Sequence, residues 1–106
     1  SEPVNSILTT AQIYLIYALI DENITENINE PVKQSLFKII SFILNNNSAN
    51  GNMLAFVLGK GRSSLTRHLK LLCNTNIIEF IGSDKTGGYY LTKQTKERLH
   101  ICKPTG

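Results

Sequence analysis

A chain of 106 residues with 42% hydrophobic and 18% charged side chains is sized for one compact domain and is too apolar for a disordered segment. Its formal charge of +3 is unevenly spread: residues 1–32 hold five acids and no Lys or Arg, whereas residues 33–78 hold six bases and no acid. The longest apolar run, Ile13 to Ile20, falls well short of the roughly 18 residues a bilayer span needs. A basic block free of acids points to a polyanionic partner.

The first helix is expected from Ala11 to about Asp21, opened by Thr9 as a hydroxyl cap with Gln12 three positions on. It carries Ile13, Leu15, Ile16, Tyr17, Leu19 and Ile20 around most of its circumference, more than one neighbour can bury. These six residues are therefore expected to offer a dimerisation surface to a second copy; burial of both faces within one chain, one of them under Leu99 and Ile101, is the competing expectation. Residues 1–28, an apolar helix and an acidic connector, are read as an element apart from the 29–106 domain. Glu2-Pro3-Val4 and Glu30-Pro31-Val32 echo each other ahead of two helices, too short a match to define a repeat.

Pro31 suits the first position of a second helix, where its missing N–H costs nothing, and Leu36, Phe37, Ile40, Ile43 and Leu44 mark its core face. A short third helix is expected over Asn52 to Leu58, stopped by Gly59-Lys60-Gly61. A fourth runs from Arg62 to about Asn74, and Asn76 stands where a left-handed residue ends a helix. Ile77–Ile81 and Tyr89–Thr92 read as strands joined by a glycine-rich loop over residues 82–88. Thr92 then caps a last helix, Lys93 to Ile101. The fold class is mainly α with a small β-hairpin: a winged helix-turn-helix with an extra N-terminal helix.

At about 100° per residue, Leu65, Leu69 and Leu72 of the fourth helix share a stripe about 60° wide. Ser63, Arg67, Lys70 and Asn74 project opposite, with Ser64 beside them. In a helix-turn-helix the second helix enters the major groove of DNA with its N-terminal residues at base edges. Arg67 is placed to grip a guanine, the small Ser63 and Ser64 let the backbone come close, Lys60 and Lys70 are placed to meet phosphates, and Arg62 is a further DNA-binding candidate. His68 on the flank is a weaker candidate, more readily a surface or half-buried histidine, and Leu71 is an apolar residue on or near the polar side. In the loop, Lys85 and Thr86 are candidates for a phosphate or the minor groove.

Leu65-Thr66-Arg67-His68-Leu69-Lys70-Leu71-Leu72, followed by Asn76 to Tyr90 with its Ile-Gly-Ser-Asp-Lys-Thr-Gly-Gly-Tyr stretch, resembles the winged helix at the C-terminal end of bacterial AlbA/Schlafen-type proteins. These are often labelled RecG-related helicases or transcriptional regulators. Asn29-Glu30-Pro31-Val32 is similar to the linker ahead of that domain, so the resemblance covers residues 29–92 and leaves 1–28 unexplained. It departs at Gly59-Lys60-Gly61, where relatives place a turn ending in Ser or Thr before Arg. The resemblance implies double-stranded DNA as partner.

Other chemistries lack their residues. Gly59-Lys60 is not a phosphate-binding loop, because Leu54 stands where the first glycine belongs and Gly61 where Ser or Thr belongs. His68 and His100 form no catalytic pattern, and neither Cys73 nor Cys102 has metal or redox spacing. The expectation is a non-enzymatic, cofactor-free cytoplasmic protein with buried or free thiols; the Asn23-Ile24-Thr25 and Asn46-Asn47-Ser48 sequons carry no weight without a secretory signal. A winged helix used only for protein–protein contact is the alternative.

Overall fold

The computed structural model describes residues 8–46, 48–59, 61–83 and 85–99. It is mainly helical, with five helices and one small antiparallel hairpin among those residues.

Several helix ends are fixed by local chemistry that can be named. Helix α1 (Thr10–Asn23) starts from a reciprocal capping box. The Thr9 hydroxyl accepts the Gln12 N–H at 3.0 Å while the Gln12 side chain accepts the Thr9 N–H at 3.1 Å, satisfying two donors that the first turn leaves open. Helix α2 (Glu30–Asn46) begins one residue earlier than Pro31 suggests, because Asn29 accepts the Val32 N–H at 3.1 Å and so does the capping. Pro31 still sits in the first turn, where no intrahelical donor is lost. Helix α3 (Gly51–Leu58) is capped by Asn50 at 2.9 Å from the Met53 N–H and ends on Gly59 in the left-handed region at φ 66°.

Helix α4 (Arg62–Asn74) ends where the sequence places its stop. Asn76 takes φ 64°; its N–H donates to the Cys73 carbonyl at 3.0 Å, and the Ile77 N–H donates to the Leu72 carbonyl at 3.0 Å. This pair of bonds is the Schellman closure, with Asn in the place glycine usually takes, and it drives Ile77 back into the core. Strands β1 (Ile78–Ile81) and β2 (Gly88–Leu91) follow, pairing Ile78 with Leu91 and Phe80 with Tyr89. β2 stops one residue short of the expected Thr92, which caps α5 (Lys93–Leu99) as expected: its hydroxyl accepts the Thr95 N–H at 3.3 Å and donates to the Asn76 carbonyl at 2.9 Å. The expected continuation of that helix to Ile101 lies outside the described residues.

Between α2 and α3 the described chain forms one β-bridge to the hairpin. Ala49 and Tyr89 exchange two backbone hydrogen bonds, at 3.1 and 2.7 Å, so β2 has partners on both edges. At Gly88 a Cβ would come within 3.3 Å of the Ala49 carbonyl oxygen, tight enough to favour glycine for this close approach.

Helix α2 is the centre of the core. Leu36, Ile39, Ile40 and Ile43 are fully buried, and they join residues from α1, α3, α4, the hairpin and α5 in one hydrophobic cluster. Residues 8–28 therefore share their core with the rest of the described chain. Tyr17 stacks on Phe37 with ring centroids 4.7 Å apart, Lys33 pairs with Asp21 at 2.9 Å, and Arg98 grips Glu22 with two 2.7 Å bonds. α1 is thus tied to α2 and to α5.

This packing corrects the expected use of the α1 surface. Ile16, Leu19 and Ile20 lie inside the chain's own core, and Leu15 and Tyr17 are half-buried against it. Of the six residues expected to meet a second copy, only Ile13 is exposed, at 40%; Tyr14, at 77%, joins it. Burial of α1 within one chain, the competing expectation, describes these residues better, and Leu99 is buried as that expectation requires.

Candidate nucleic-acid interface

The exposed face of α4 follows from its helical repeat. Leu65, Leu69 and Leu72 are buried, which turns Ser63, Arg67, Lys70 and Asn74 outward, all exposed; Ser64 is half-buried at their side. Among the described residues neither Arg67 nor Lys70 has an ion-pair or hydrogen-bond partner, so both charges face solvent. Thr66, which the sequence did not single out, is exposed on the flank nearer the hairpin.

His68 is not on that face. It is 8% exposed and lines a shallow groove of about 330 Å³, more covered than the expected surface or half-buried histidine. Leu71 lines the same groove beside Val32 of α2 and packs on the core, so its place near the polar side is explained by the start of α2 lying against α4. Glu26 also borders this groove with Arg67 and Lys70. The stretch that is free of acids in sequence is therefore not free of them in space.

A second groove, of about 470 Å³, lies at the other end of α4, between its N-terminus, the start of α3 and the hairpin. Arg62 borders it, with one guanidinium nitrogen donating to Asn52 of α3 at 2.6 Å, which holds the charged fork at the rim. Lys85 borders it from the loop, and Phe80 and Tyr89 form the hairpin wall. Among the described residues lining this groove none is acidic. Lys60 lies outside the described residues.

The loop that carries Lys85 is closed by its own side chains. The Ser83 and Thr86 hydroxyls are 2.8 Å apart, and the Ser83 oxygen accepts the Thr86 N–H at 3.2 Å. Thr86 is exposed, but its hydroxyl is already engaged in shaping the turn. Gly82 sits at φ 109°, a conformation L side chains rarely adopt, and the Phe80 ring covers Gly87 so closely that a Cβ there would fall 2.6 Å from its ring carbon.

Burial pushes the Cys73 thiol up from its ordinary value, which keeps it protonated and a poor nucleophile at neutral pH. The Tyr89 phenol is raised by burial and by neighbouring Cys73. Among the described residues no three His, Cys, Asp or Glu side chains converge to hold a metal ion, and no helix is long and apolar enough to cross a membrane. Asn52, Phe80 and Tyr89 are the site residues that sequence reasoning passed over; the β-strand alternation that puts Phe80 and Tyr89 opposite each other was their one local signal. Compared with family models, curated proteins and solved structures, the chain matches none.

Proposed function

We propose that this chain is a winged helix-turn-helix domain that binds double-stranded DNA, with α4 in the major groove and the loop after β1 as the wing. The observation that carries the reading is the division of α4: a leucine stripe anchored in the core, and Ser63, Arg67, Lys70 and Asn74 exposed opposite it with both cations unpartnered among the described residues. Support also comes from the order α2, α3, α4, β1, β2, with the single Ala49–Tyr89 bridge standing where a third strand would pair. Arg67 reads a base edge, Lys70 and Arg62 hold phosphates, and Lys85 adds a wing contact. With the AlbA/Schlafen resemblance, the proposal extends to a non-enzymatic DNA-binding part of a cytoplasmic transcriptional regulator or RecG-related protein.

A protein–protein role is the second reading, and one observation favours it: Phe56 on α3 is 88% exposed, with Met53 one turn away at 40%. Fluorescence anisotropy with labelled duplex DNA across a salt series separates the two. The DNA reading expects affinity to fall steeply with salt. Arg67→Ala is expected to cost about 1–3 kcal/mol and relax base preference at one position, whereas Lys70→Ala weakens all sequences alike and flattens the salt slope by about 1. Absence of any salt-dependent duplex binding would leave the protein–protein role.

A further inference from the structure

The groove between the wing and the N-terminal ends of α3 and α4 combines features that a duplex contact alone does not call for. A phosphate on the outside of a duplex needs only cations or N–H donors. Here two cations, Arg62 and Lys85, share the groove with a partly exposed aromatic ring, Phe80, which is 41% exposed. That ring is not a loose surface side chain. Tyr89 meets it edge-on with centroids 5.0 Å apart, and the missing side chain of Gly87 is what lets it lie against the loop. Arg62 is likewise held in advance by its 2.6 Å bond to Asn52. A fixed aromatic surface beside fixed positive charge, with no acid among the described lining residues, is the pairing that binds single-stranded nucleic acid: the ring stacks a base and the cations meet its phosphate. A base inside a duplex is already stacked on both sides and is out of reach of such a ring.

Resting on the DNA-binding reading, we propose that this groove takes an unpaired nucleotide, its base against Phe80 and its phosphate against Arg62 and Lys85. α4 meanwhile engages the adjoining duplex. The partner is then DNA with a junction between paired and unpaired strands, at an overhang or a fork, in preference to a continuous duplex.

The test compares a short blunt duplex with the same duplex carrying a single-stranded overhang, by fluorescence anisotropy at fixed salt. The overhang DNA is expected to bind about tenfold more tightly, the size of one base stacked on an aromatic ring. Phe80→Leu is expected to abolish that preference while blunt-duplex affinity persists, and Phe80→Tyr, which keeps a ring, to retain it. A fluorescent adenine analogue at the first unpaired position gives a direct readout. Its emission is quenched on binding to the native protein and to Phe80→Tyr, and much less with Phe80→Leu. Equal affinity for both DNAs, or a preference that survives Phe80→Leu, overturns the inference and leaves duplex binding standing. Binding to neither DNA overturns both.

Discussion

Helices α1 and α4 bury similar numbers of apolar side chains yet are built on opposite plans. α4 is sharply two-sided, so that burying Leu65, Leu69 and Leu72 forces its cations outward. α1 is apolar nearly all round and has no preferred face of its own; α2 and α5 decide which side is covered. The charges differ in the same way. The acids at the end of α1, Asp21 and Glu22, are used up in bonds to Lys33 and Arg98 that hold the chain together. The outward cations of α4, Arg67 and Lys70, have no partner among the described residues. A helix whose pattern is one-sided presents its polar face, while a helix without a pattern becomes what its neighbours make of it.

The largest effects test whether α1 belongs to the same cooperative unit as α4. Ile20 and Leu72 are both fully buried in the shared cluster. Each cut to alanine is expected to lose about 2–5 kcal/mol of stability, in a single denaturant transition. If Ile20→Ala produces a separate early transition with the signal of the α4–hairpin region intact, α1 is an appendage and the comparison fails.

How much of this was legible in the sequence follows the same line. Features set within a few residues of each other could be read directly. The Thr9–Gln12 box, the left-handed Asn76, the Thr92 cap and the leucine stripe of α4 all depend only on spacing. Features set by distant elements could not. Nothing local says that Glu26 comes to rest beside Arg67 and Lys70, that Asn52 holds Arg62 from a neighbouring helix, or that His68 is covered. The α1 surface is the clearest case: excess apolarity signalled that more than one partner covers the helix, but not that both partners were in the same chain.

A smaller effect sharpens what remains of the α1 surface. Tyr14 is 77% exposed, so Tyr14→Ser is expected to change stability by no more than about 0.5 kcal/mol. If a second copy still docks on α1, it does so on Tyr14 and Ile13, and the substitution lowers the mass measured by light scattering at high concentration. A native chain that is monomeric at every concentration, or a dimer indifferent to Tyr14→Ser, removes the α1 dimer.

The smallest effect concerns the ion pair that fastens α1 to α5. The two hydrogen bonds from Arg98 hold the Glu22 carboxyl below its ordinary value of 4.5, against a desolvation cost and with a further push from the Arg98 charge. A carboxyl whose value is depressed by folding stabilises the folded state fully above its unfolded value, and that contribution fades as pH falls through the folded value. Native protein is therefore expected to melt slightly above Glu22→Gln at neutral pH, and the two curves should converge in acid. Both groups are exposed, so the gap is small, and added salt narrows it further by screening. The amide that replaces the carboxylate in Glu22→Gln has a similar length and keeps one oxygen acceptor. The part of the gap that vanishes with acid therefore measures the charge, and any part that survives measures only geometry. A gap that is unchanged in acid and in high salt would mean that the charge of the bidentate pair adds nothing to the attachment of α1, only its hydrogen-bond geometry.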